Sequence, residues 1–305
     1  MEDKANMTRD NCQQSGQLAV VSTPIGNLGD LSQRAIETIQ KADILACEDT
    51  RMTRKLLSLC GIKTAAKLLP YHDHNGPTMR PKLLAELTAG RSVALVSDAG
   101  TPLISDPGFK LVAACHAAGV PVTAIPGASA VLAGLAIAGL PSDRFLFAGF
   151  IPASTSAATT AFTEIAGLTA TSIWFESPKR LAANLTLMLA IFGDRQAVIT
   201  RELTKLHEEC HRGTLADLAS HYAAAPTPKG EIVVLIAGAD VKETQFDTQK
   251  LTFMLREEMR VSSLRDAVKT VAEISERPRK LIYSLAIDLD KNEGEDKDEL
   301  APRFK

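Results

Sequence analysis

The chain lacks a long apolar segment, an apolar leader and paired cysteines. Its longest apolar runs, such as 131–140, contain small residues and fall short of the roughly 20 residues that cross a bilayer. Residues 1–17 are polar and of mixed charge, which predicts a disordered tail rather than a signal peptide. The 5 cysteines include no CxxC pair and are typical of buried free thiols. We therefore expect a cytoplasmic protein without a membrane span.

Several common catalytic motifs are also missing. There is no P-loop and no GxSxG turn, and the loop "STPIGNLGD" departs from the GxGxxG dinucleotide pattern at Pro24 and Ile25. "HEECH" at 207–211 matches the HExxH zinc pattern, but Gly213 follows it and "AVITREL" before it is typical of a strand. We predict neither a metal nor a covalent nucleophile. The net charge of −2 provides no overall field that would attract nucleic acid.

What the sequence does contain is an alternation of strand and helix patterns. The runs "LAVVST", "DILACED", "SVALVS" and "PVTAI" alternate with helical patterns at 31–41, 109–118 and 129–138. This order predicts βαβ units and a largely parallel sheet. Asp30 and Gln33 have the spacing of a capping pair at the start of the first helix. We expect an α/β domain at 18–150, followed by a linker of small and hydroxyl residues.

The alternation resumes after this linker and later stops. "TSIWFES", "AVITREL" and "EIVVLIAG" predict a second α/β domain at 151–240, which faces the first across a cleft of the kind that binds ligands. Three helical patterns follow at 245–290, with a spacing that helix-turn-helix units share with helical hairpins that only pack. The charged segment 291–305 predicts a disordered tail.

Clusters of polar residues occur at the ends of predicted strands. They are "CEDTR" at 47–51, "FESPKR" at 175–180 and "RELTK" at 201–205, and the loop "LVSDAGTPLISDPG" adds two more carboxylates. Open α/β folds bind ligands at the carboxyl ends of their strands, so these clusters predict a site, with surface ion pairs as the alternative. "YHDHN" at 71–75 predicts a loop that contacts substrate.

Taken in order, these motifs resemble one known family. From about residue 18 to 290, "TPIGNLGDLSQRA", "CEDTR", "VSDAGTPLISDPG", "FESPKR", "RELTK" and "KGEIVVLI" closely resemble the ribosomal RNA small-subunit methyltransferase I family, a branch of the tetrapyrrole methylase superfamily. The resemblance implies two αβα domains of the class III S-adenosylmethionine methyltransferase type with a C-terminal helical unit. It also implies S-adenosyl-L-methionine as cofactor, a homodimer, and 2′-O-methylation of a cytidine in the decoding region of 16S rRNA within the small ribosomal subunit.

The resemblance further implies a set of site residues. Its cofactor contacts correspond to Pro24, Gly26, Ser97, Asp98, Ala99, Gly100, Thr101, Ile104, Ser129, Phe175, Leu203 and Gly230. A ribose hydroxyl is a weak nucleophile and needs a base, for which Asp106 and Glu202 are candidates, while Lys205 would orient phosphate. Asp106 has a second interpretation, as the cap of the helix that begins near Phe109. RNA phosphates are expected to contact basic residues, namely Arg51, Arg54, Lys179, Arg180 and those of the C-terminal helices.

The sequence departs from the tetrapyrrole branch at one position. Relatives that methylate tetrapyrroles carry Gly-Asp-Pro, whereas this chain has Gly100, Thr101 and Pro102. The change disfavours a corrin or porphyrin substrate. Two alternatives stay open: a small-molecule C-methyltransferase of the tetrapyrrole type, and a non-catalytic ribosome-binding factor.

Overall fold

The computed structural model describes residues 16–275 and 278–299, with only the backbone described at 241–249 and 290–299. Cys12 and most of the predicted N-terminal tail lie outside the described residues. One compact unit extends to Ala166 and includes Ala170–Ala237, and a second joins Gly167–Thr169 to the residues from Gly238 onward. In the described ranges, no helix is long and apolar enough to cross a membrane.

The first unit begins with a five-stranded parallel sheet in the order β3-β2-β4-β1-β5. Its strands are β1 (Leu18–Val21), β2 (Ile44–Cys47), β3 (Lys67–Pro70), β4 (Val93–Val96) and β5 (Val122–Ile125). Its helices are α1 (Gln33–Lys41), α2 (Thr50–Leu59), α3 (Gly76–Thr88), α4 (Phe109–Ala117) and α5 (Ala130–Ala138). Because β2 and β4 are buried along their whole length, helices cover both faces of the sheet. The predicted parallel sheet is confirmed.

This half differs from the sequence pattern in the cap of its first helix and in three elements that were not predicted, α2, α3 and β3. The side chain that caps α1 belongs to Ser32, whose Oγ accepts from the backbone N of Ala35 at 3.1 Å. Asp30 instead ends a short 3-10 turn, so the predicted capping pair is wrong. The sequence pattern also missed β3, because four half-exposed residues that end in a proline carry too short a periodic signal.

The second sheet is mixed and has the order β6-β7-β10-β8-β9. Its strands are β6 (Phe145–Phe150), β7 (Thr171–Glu176), β8 (Gln196–Arg201), β9 (Glu209–Thr214) and β10 (Ile232–Ile236). Only β6 and β7 are parallel, and the other neighbours are antiparallel. Because β6 pairs with β7, this sheet begins at Phe145, whereas the sequence predicts a domain boundary at 150. Periodicity does not reveal which sheet a strand joins.

The two faces of the second sheet pack against different partners. One face carries Trp174 and Ile199 and is covered by α6 (Thr155–Ile165), α7 (Leu181–Phe192) and α8 (Leu215–Ala224). The other face carries Val233 and Leu235 and packs against α5. Through α5, the two sheets form one continuous unit. His211 lies in β9, so the histidines of "HEECH" do not share a helix face.

The second unit contains the three helices that the sequence pattern predicted. They are α9 (Val241–Met259), α10 (Leu264–Ser275) and α11 (Arg279–Glu299). Their shared core includes Leu255, Val271, Ile282 and Ala286. Helix α11 continues to Glu299, through part of the segment predicted as a disordered tail. A helix that packing has nucleated extends at little cost through good helix formers such as Glu and Lys.

Candidate functional site

Three loops at the carboxyl edge of the first sheet are joined through Thr101. The Thr101 hydroxyl lies 2.9 Å from the Ser22 hydroxyl, after β1, and donates to the carbonyl of Ala128, after β5, at 3.1 Å. Thr23 and Gly100 exchange backbone hydrogen bonds of 2.8 and 3.1 Å. The adjacent positions of β4, β1 and β5 make these contacts possible. The predicted cofactor loops therefore meet as one cross-linked group.

The loop after β4 approaches its neighbours closely. Gly100 has a φ of +80°, and a Cβ there would lie 3.3 Å from Cγ2 of Ile25. Ser97 Oγ donates to the carbonyl of Gly100 at 3.2 Å and fixes the turn. This geometry accounts for a glycine at position 100, because an L side chain is strained at that φ.

Backbone strain is concentrated in two loops. Among the residues that the structure describes, four non-glycine residues have positive φ: Leu103, Ser105, Glu202 and Thr204. The first two belong to the loop after β4, and the other two belong to the loop between β8 and β9. Such conformations persist only where the surroundings impose them, and they tend to occur at functional sites. The residues that they flank include the predicted site residues Ile104, Asp106 and Leu203.

Glu202 is held as a carboxylate by fixed partners. Lys205 Nζ lies 2.8 Å from Glu202 Oε1, and the backbone N of Glu231 donates to the same oxygen at 3.0 Å. The hydrogen bond from Lys205, and then that from Glu231, lower the pKa of Glu202. Burial lowers the pKa of Lys205, but its bonds to Glu202 and Glu231 outweigh burial and raise it. The pair is therefore ionised, and Glu202 is a weak base.

The same loop reaches across to the loop after β1. The backbone N of Asn27 donates to Thr204 Oγ1 at 3.2 Å. The Lys205 side chain crosses Gly26 so closely that no Cβ fits there. Gly26, which the resemblance assigns to the cofactor site, is thus required by the approach of Lys205.

A small pocket opens between these loops. It is lined by Ile25, Ala130, Leu203, Glu231 and Val233. Of these, the resemblance assigned only Leu203 to the site. The predicted site residue Ser129 lies beside the pocket because it is the N-cap of α5, whose first residue is Ala130. The motifs did not assign Ile25, Ala130 and Val233 to the site, because apolar residues in a loop, at a helix start and in a buried strand are equally typical of ordinary core.

Asp106 belongs to a cluster of carboxylates at the ends of β2 and β4. Burial, followed by the charge of Glu48, raises the pKa of Asp106 to about 6, against a smaller lowering by a hydrogen bond from Ser97. Burial and the charge of Asp98 also raise the pKa of Glu48. The backbone N of Asp49 donates to Asp98 Oδ1 at 3.2 Å. Two of the predicted polar clusters therefore meet at this edge.

The helix-cap interpretation of Asp106 is wrong. Gly108 is the N-cap of α4 and has a φ of 144°, and in the described part of the chain no side chain forms a capping hydrogen bond at this end. Asp106 thus has no capping role, and its half-buried carboxyl group is available for chemistry.

Two of the basic residues expected to contact phosphate are engaged within the chain. Arg180 forms an ion pair with the buried Glu176 at 2.7 Å and donates to the carbonyls of Ile151 and Pro152. Arg51 pairs with Asp49 at 2.7 Å. Lys179 is exposed and has no ion-pair or hydrogen-bond partner among the described residues.

Gly230 should be sensitive to substitution because of Glu202. Gly230 has a φ of +94°, and a Cβ there would overlap the Glu202 carboxylate. Gly230→Ala is expected to lower the free energy of unfolding by about 2 kcal/mol in urea, from backbone strain and displacement of the carboxylate. Gly61 has a φ of +64° with nothing within 4 Å, so Gly61→Ala is a control for strain alone. Equal losses in the two variants would contradict a role for Glu202.

Similarity to known proteins shows the class of enzymes whose fold this chain shares. Residues 17–219 match the family of Tetrapyrrole (Corrin/Porphyrin) Methylases. The solved structure of cobalt precorrin-4 methyltransferase superposes with a TM-score of 0.53 at 19% identity, over 72% of this chain and 94% of that chain. Diphthine synthase gives 0.55 at 17% identity, over 76% and 94%. The fold is that of the class III methyltransferases.

Curated relatives of higher sequence identity show which family within this class the chain belongs to. A protein of Mesorhizobium japonicum named ribosomal RNA small subunit methyltransferase I is 48% identical, over 91% of this chain and 94% of its own length. Proteins of the same name from Xylella fastidiosa and Escherichia coli O157:H7 are 45% and 40% identical, over 88% and 93% of this chain and 98% and 99% of their own lengths. The chain belongs to the ribosomal RNA small subunit methyltransferase I family.

Proposed function

We propose that this chain uses S-adenosyl-L-methionine to methylate the 2′-oxygen of a cytidine in the decoding region of 16S rRNA, within the small ribosomal subunit. The observation that carries the proposal is the 40–48% identity to relatives named for methylation of small-subunit rRNA. The choice of a ribose oxygen rests on the family resemblance and on the environment of Asp106. As parts of the same proposal, we expect a cytoplasmic homodimer.

By the chemistry of their side chains, rather than by the volume of the pocket, the lining residues suit the proposed cofactor. Ile25, Leu203 and Val233 offer apolar walls of the kind that suit an adenine ring, and the Glu231 carboxylate at the rim suits hydroxyl or ammonium donors. Gly100 brings backbone close to Ile25 in the pocket wall. When bound, the cofactor supplies a methyl carbon that is already activated for displacement, and the protein contributes alignment.

Asp106 is the base in this proposal. As the 2′-oxygen takes up the methyl group, its proton passes to the Asp106 carboxylate, whose pKa of about 6 suits proton transfer near neutral pH. Asp106 lies in the loop after β4 that also contains Gly100, and Gly100 approaches Ile25 in the pocket wall, so one loop connects Asp106 to the proposed cofactor site. The other candidates fit less well, because Glu202 and Lys205 form a fixed ion pair.

The two alternatives are less well supported. A tetrapyrrole C-methylase would carry an aspartate at position 101, whereas the Thr101 hydroxyl is occupied by Ser22 and the Ala128 carbonyl. A non-catalytic ribosome-binding factor would have no use for a pocket with strained loops around it. Calorimetric titration with S-adenosyl-L-methionine distinguishes this second alternative from the proposed enzyme. A folded protein that binds no S-adenosyl-L-methionine would be the non-catalytic factor.

The decisive experiment maps ribose methylation in 16S rRNA from cells that lack this protein. We expect one decoding-region cytidine to lose its 2′-O-methyl group. We also expect the purified protein with S-adenosyl-L-methionine to restore that group on small subunits isolated from these cells. An unchanged methylation map would refute the substrate assignment.

A further inference from the structure

A row of side chains crosses the second sheet from the pocket to an exposed aromatic ring. Cross-strand partners lie on the same face of a sheet, and the row runs through Phe150, Phe175, Val233 and Thr200. Val233 lines the pocket, and Phe175 packs against the same apolar cluster. Phe150 is the outer end of the row and is 60% exposed. The apolar floor of the pocket thus continues outward to the edge strand.

The rings along this row are ordered. The centroids of Phe150 and Phe175 are 5.2 Å apart with near-perpendicular planes, and those of Phe147 and Phe175 are 4.9 Å apart. Adjacent strands are separated by about 4.8 Å, which places Phe150 about 10 Å from Val233. That distance is on the scale of one nucleotide.

An irregularity in β6 places Phe150 on this face. The register shifts between Phe147 and Phe150, which are three positions apart in β6 but face residues only two apart in β7. Without the extra residue, the alternation of side chains would turn Phe150 to the opposite face. Gly149, within the irregularity, has a φ of +76° and open space around it. The strand geometry therefore exposes an aromatic ring on the face of the sheet that carries the pocket residue Val233.

The surroundings of the ring suit a nucleic acid. Helix α5 packs on β10, β8 and β9, and it leaves Phe150 exposed at the β6 edge. At the end of the paired strand β7, Lys179 offers an exposed positive charge without a partner among the described residues. Sequence-specific recognition of RNA relies largely on unstacked bases that stack on aromatic side chains, with cations at the backbone.

We propose that Phe150 is a stacking platform for an unstacked nucleobase of the RNA substrate. The inference rests on the proposed function, because a ribose positioned at the pocket would have its own or a neighbouring base above this row. Stacking orients the nucleotide and leaves the cofactor site unchanged. Phe150 is thus a residue for substrate binding, distinct from the base Asp106.

The test compares Phe150→Ala, Phe150→Trp and Phe145→Ala in the full-length protein. Phe145 is an exposed aromatic residue at the opposite end of the same strand, so Phe145→Ala is the matched control. With small ribosomal subunits as substrate, Phe150→Ala is expected to lower kcat/KM by about 10- to 100-fold, mainly through KM. Phe150→Trp should restore most of this loss, and Phe145→Ala should stay within about 2-fold of the wild type.

Two further measurements complete the test. Calorimetry measures the affinity for S-adenosyl-L-methionine, sedimentation measures the oligomeric state, and both quantities should be unchanged in Phe150→Ala. Loss of cofactor affinity would show that the ring is structural, and a shift to monomers would show that a second copy of the chain covers it. Either result, or full activity of Phe150→Ala, would overturn the inference. A wild-type protein that methylates no small-subunit RNA would instead mean that the proposed function itself has failed.

Discussion

Asp106→Asn is expected to lower the rate of methyl transfer by about 10²- to 10⁴-fold while S-adenosyl-L-methionine still binds, because an amide cannot accept the proton of the 2′-hydroxyl. The substitution preserves shape, and calorimetry should return a cofactor affinity near that of the wild type. The measurement is single-turnover methylation of small ribosomal subunits. Glu202→Gln is the control, since its ion pair with Lys205 gives it a structural role, and it should retain a much larger part of the rate.

The same substitution should stabilise the protein. The folded structure raises the pKa of Asp106 to about 6, so its carboxylate is unfavourable in the fold above that pH. At pH 8, Asp106→Asn should gain about 1 kcal/mol in free energy of unfolding, a value discounted for the exposed part of the half-buried side chain. As the pH falls through about 6 toward 4, the wild-type carboxyl group takes up a proton and the difference should vanish.

The pH dependence of the rate follows from the raised pKa of Asp106. A base with a pKa of about 6 is protonated and inactive below that pH, so kcat/KM should rise tenfold per pH unit on the acid side and level off above about 6. The acid limb should be missing from the residual activity of Asp106→Asn. A stabilised variant that keeps the wild-type rate and the wild-type pH profile would exclude Asp106 as the base.

Arg180→Met is expected to lower the free energy of unfolding by about 3 kcal/mol. The Glu176 side chain is 0% exposed and pairs with Arg180, with Asn184 and the backbone N of Ser177 as its other partners. Loss of the guanidinium leaves a buried carboxylate without a countercharge, and it also frees the carbonyls of Ile151 and Pro152. Urea unfolding followed by circular dichroism measures the loss.

Two further variants separate this structural role from an RNA contact. Lys179→Met removes an exposed neighbouring charge and should change stability by less than about 0.5 kcal/mol. Glu176→Gln combined with Arg180→Met should recover part of the loss, because the buried charge is then gone. If Arg180→Met instead left stability intact and reduced the salt dependence of RNA binding, its phosphate role would stand.

Periodicity and motif order predicted much of the fold, for reasons visible in particular elements. The fully buried strands β2 and β4 have strong apolar runs, and α1 has one apolar stripe, so the strands and helices of the parallel sheet could be predicted from these patterns. The mixed order of the second sheet was not. Strands β8, β9 and β10 pair antiparallel, and no periodic signal states the direction in which a neighbour runs.

The candidate site could be predicted only where its loops carry unusual residues. Gly26, Gly100 and Gly230 stood out by motif, and each now has a steric reason. The pocket residues Val233 and Glu231 were not predicted, because in a parallel sheet ligands are expected only at the carboxyl ends of strands. In this mixed sheet, the amino end of β10 lies at the same edge as the carboxyl ends of β7 and β8. Phe150, which we propose as a substrate-binding residue, was not predicted because its exposure depends on a one-residue register shift, which only paired strands reveal.

The contacts of Thr101 have a consequence for folding kinetics. Its hydroxyl partners lie 79 and 27 residues away in sequence, on loops that follow different strands. Contacts of such long range form slowly, since each one closes a long loop against chain entropy. The loops that Thr101 joins should therefore be among the last features to form as the chain folds, and a ligand bound to these loops should stabilise the whole parallel sheet rather than one local segment.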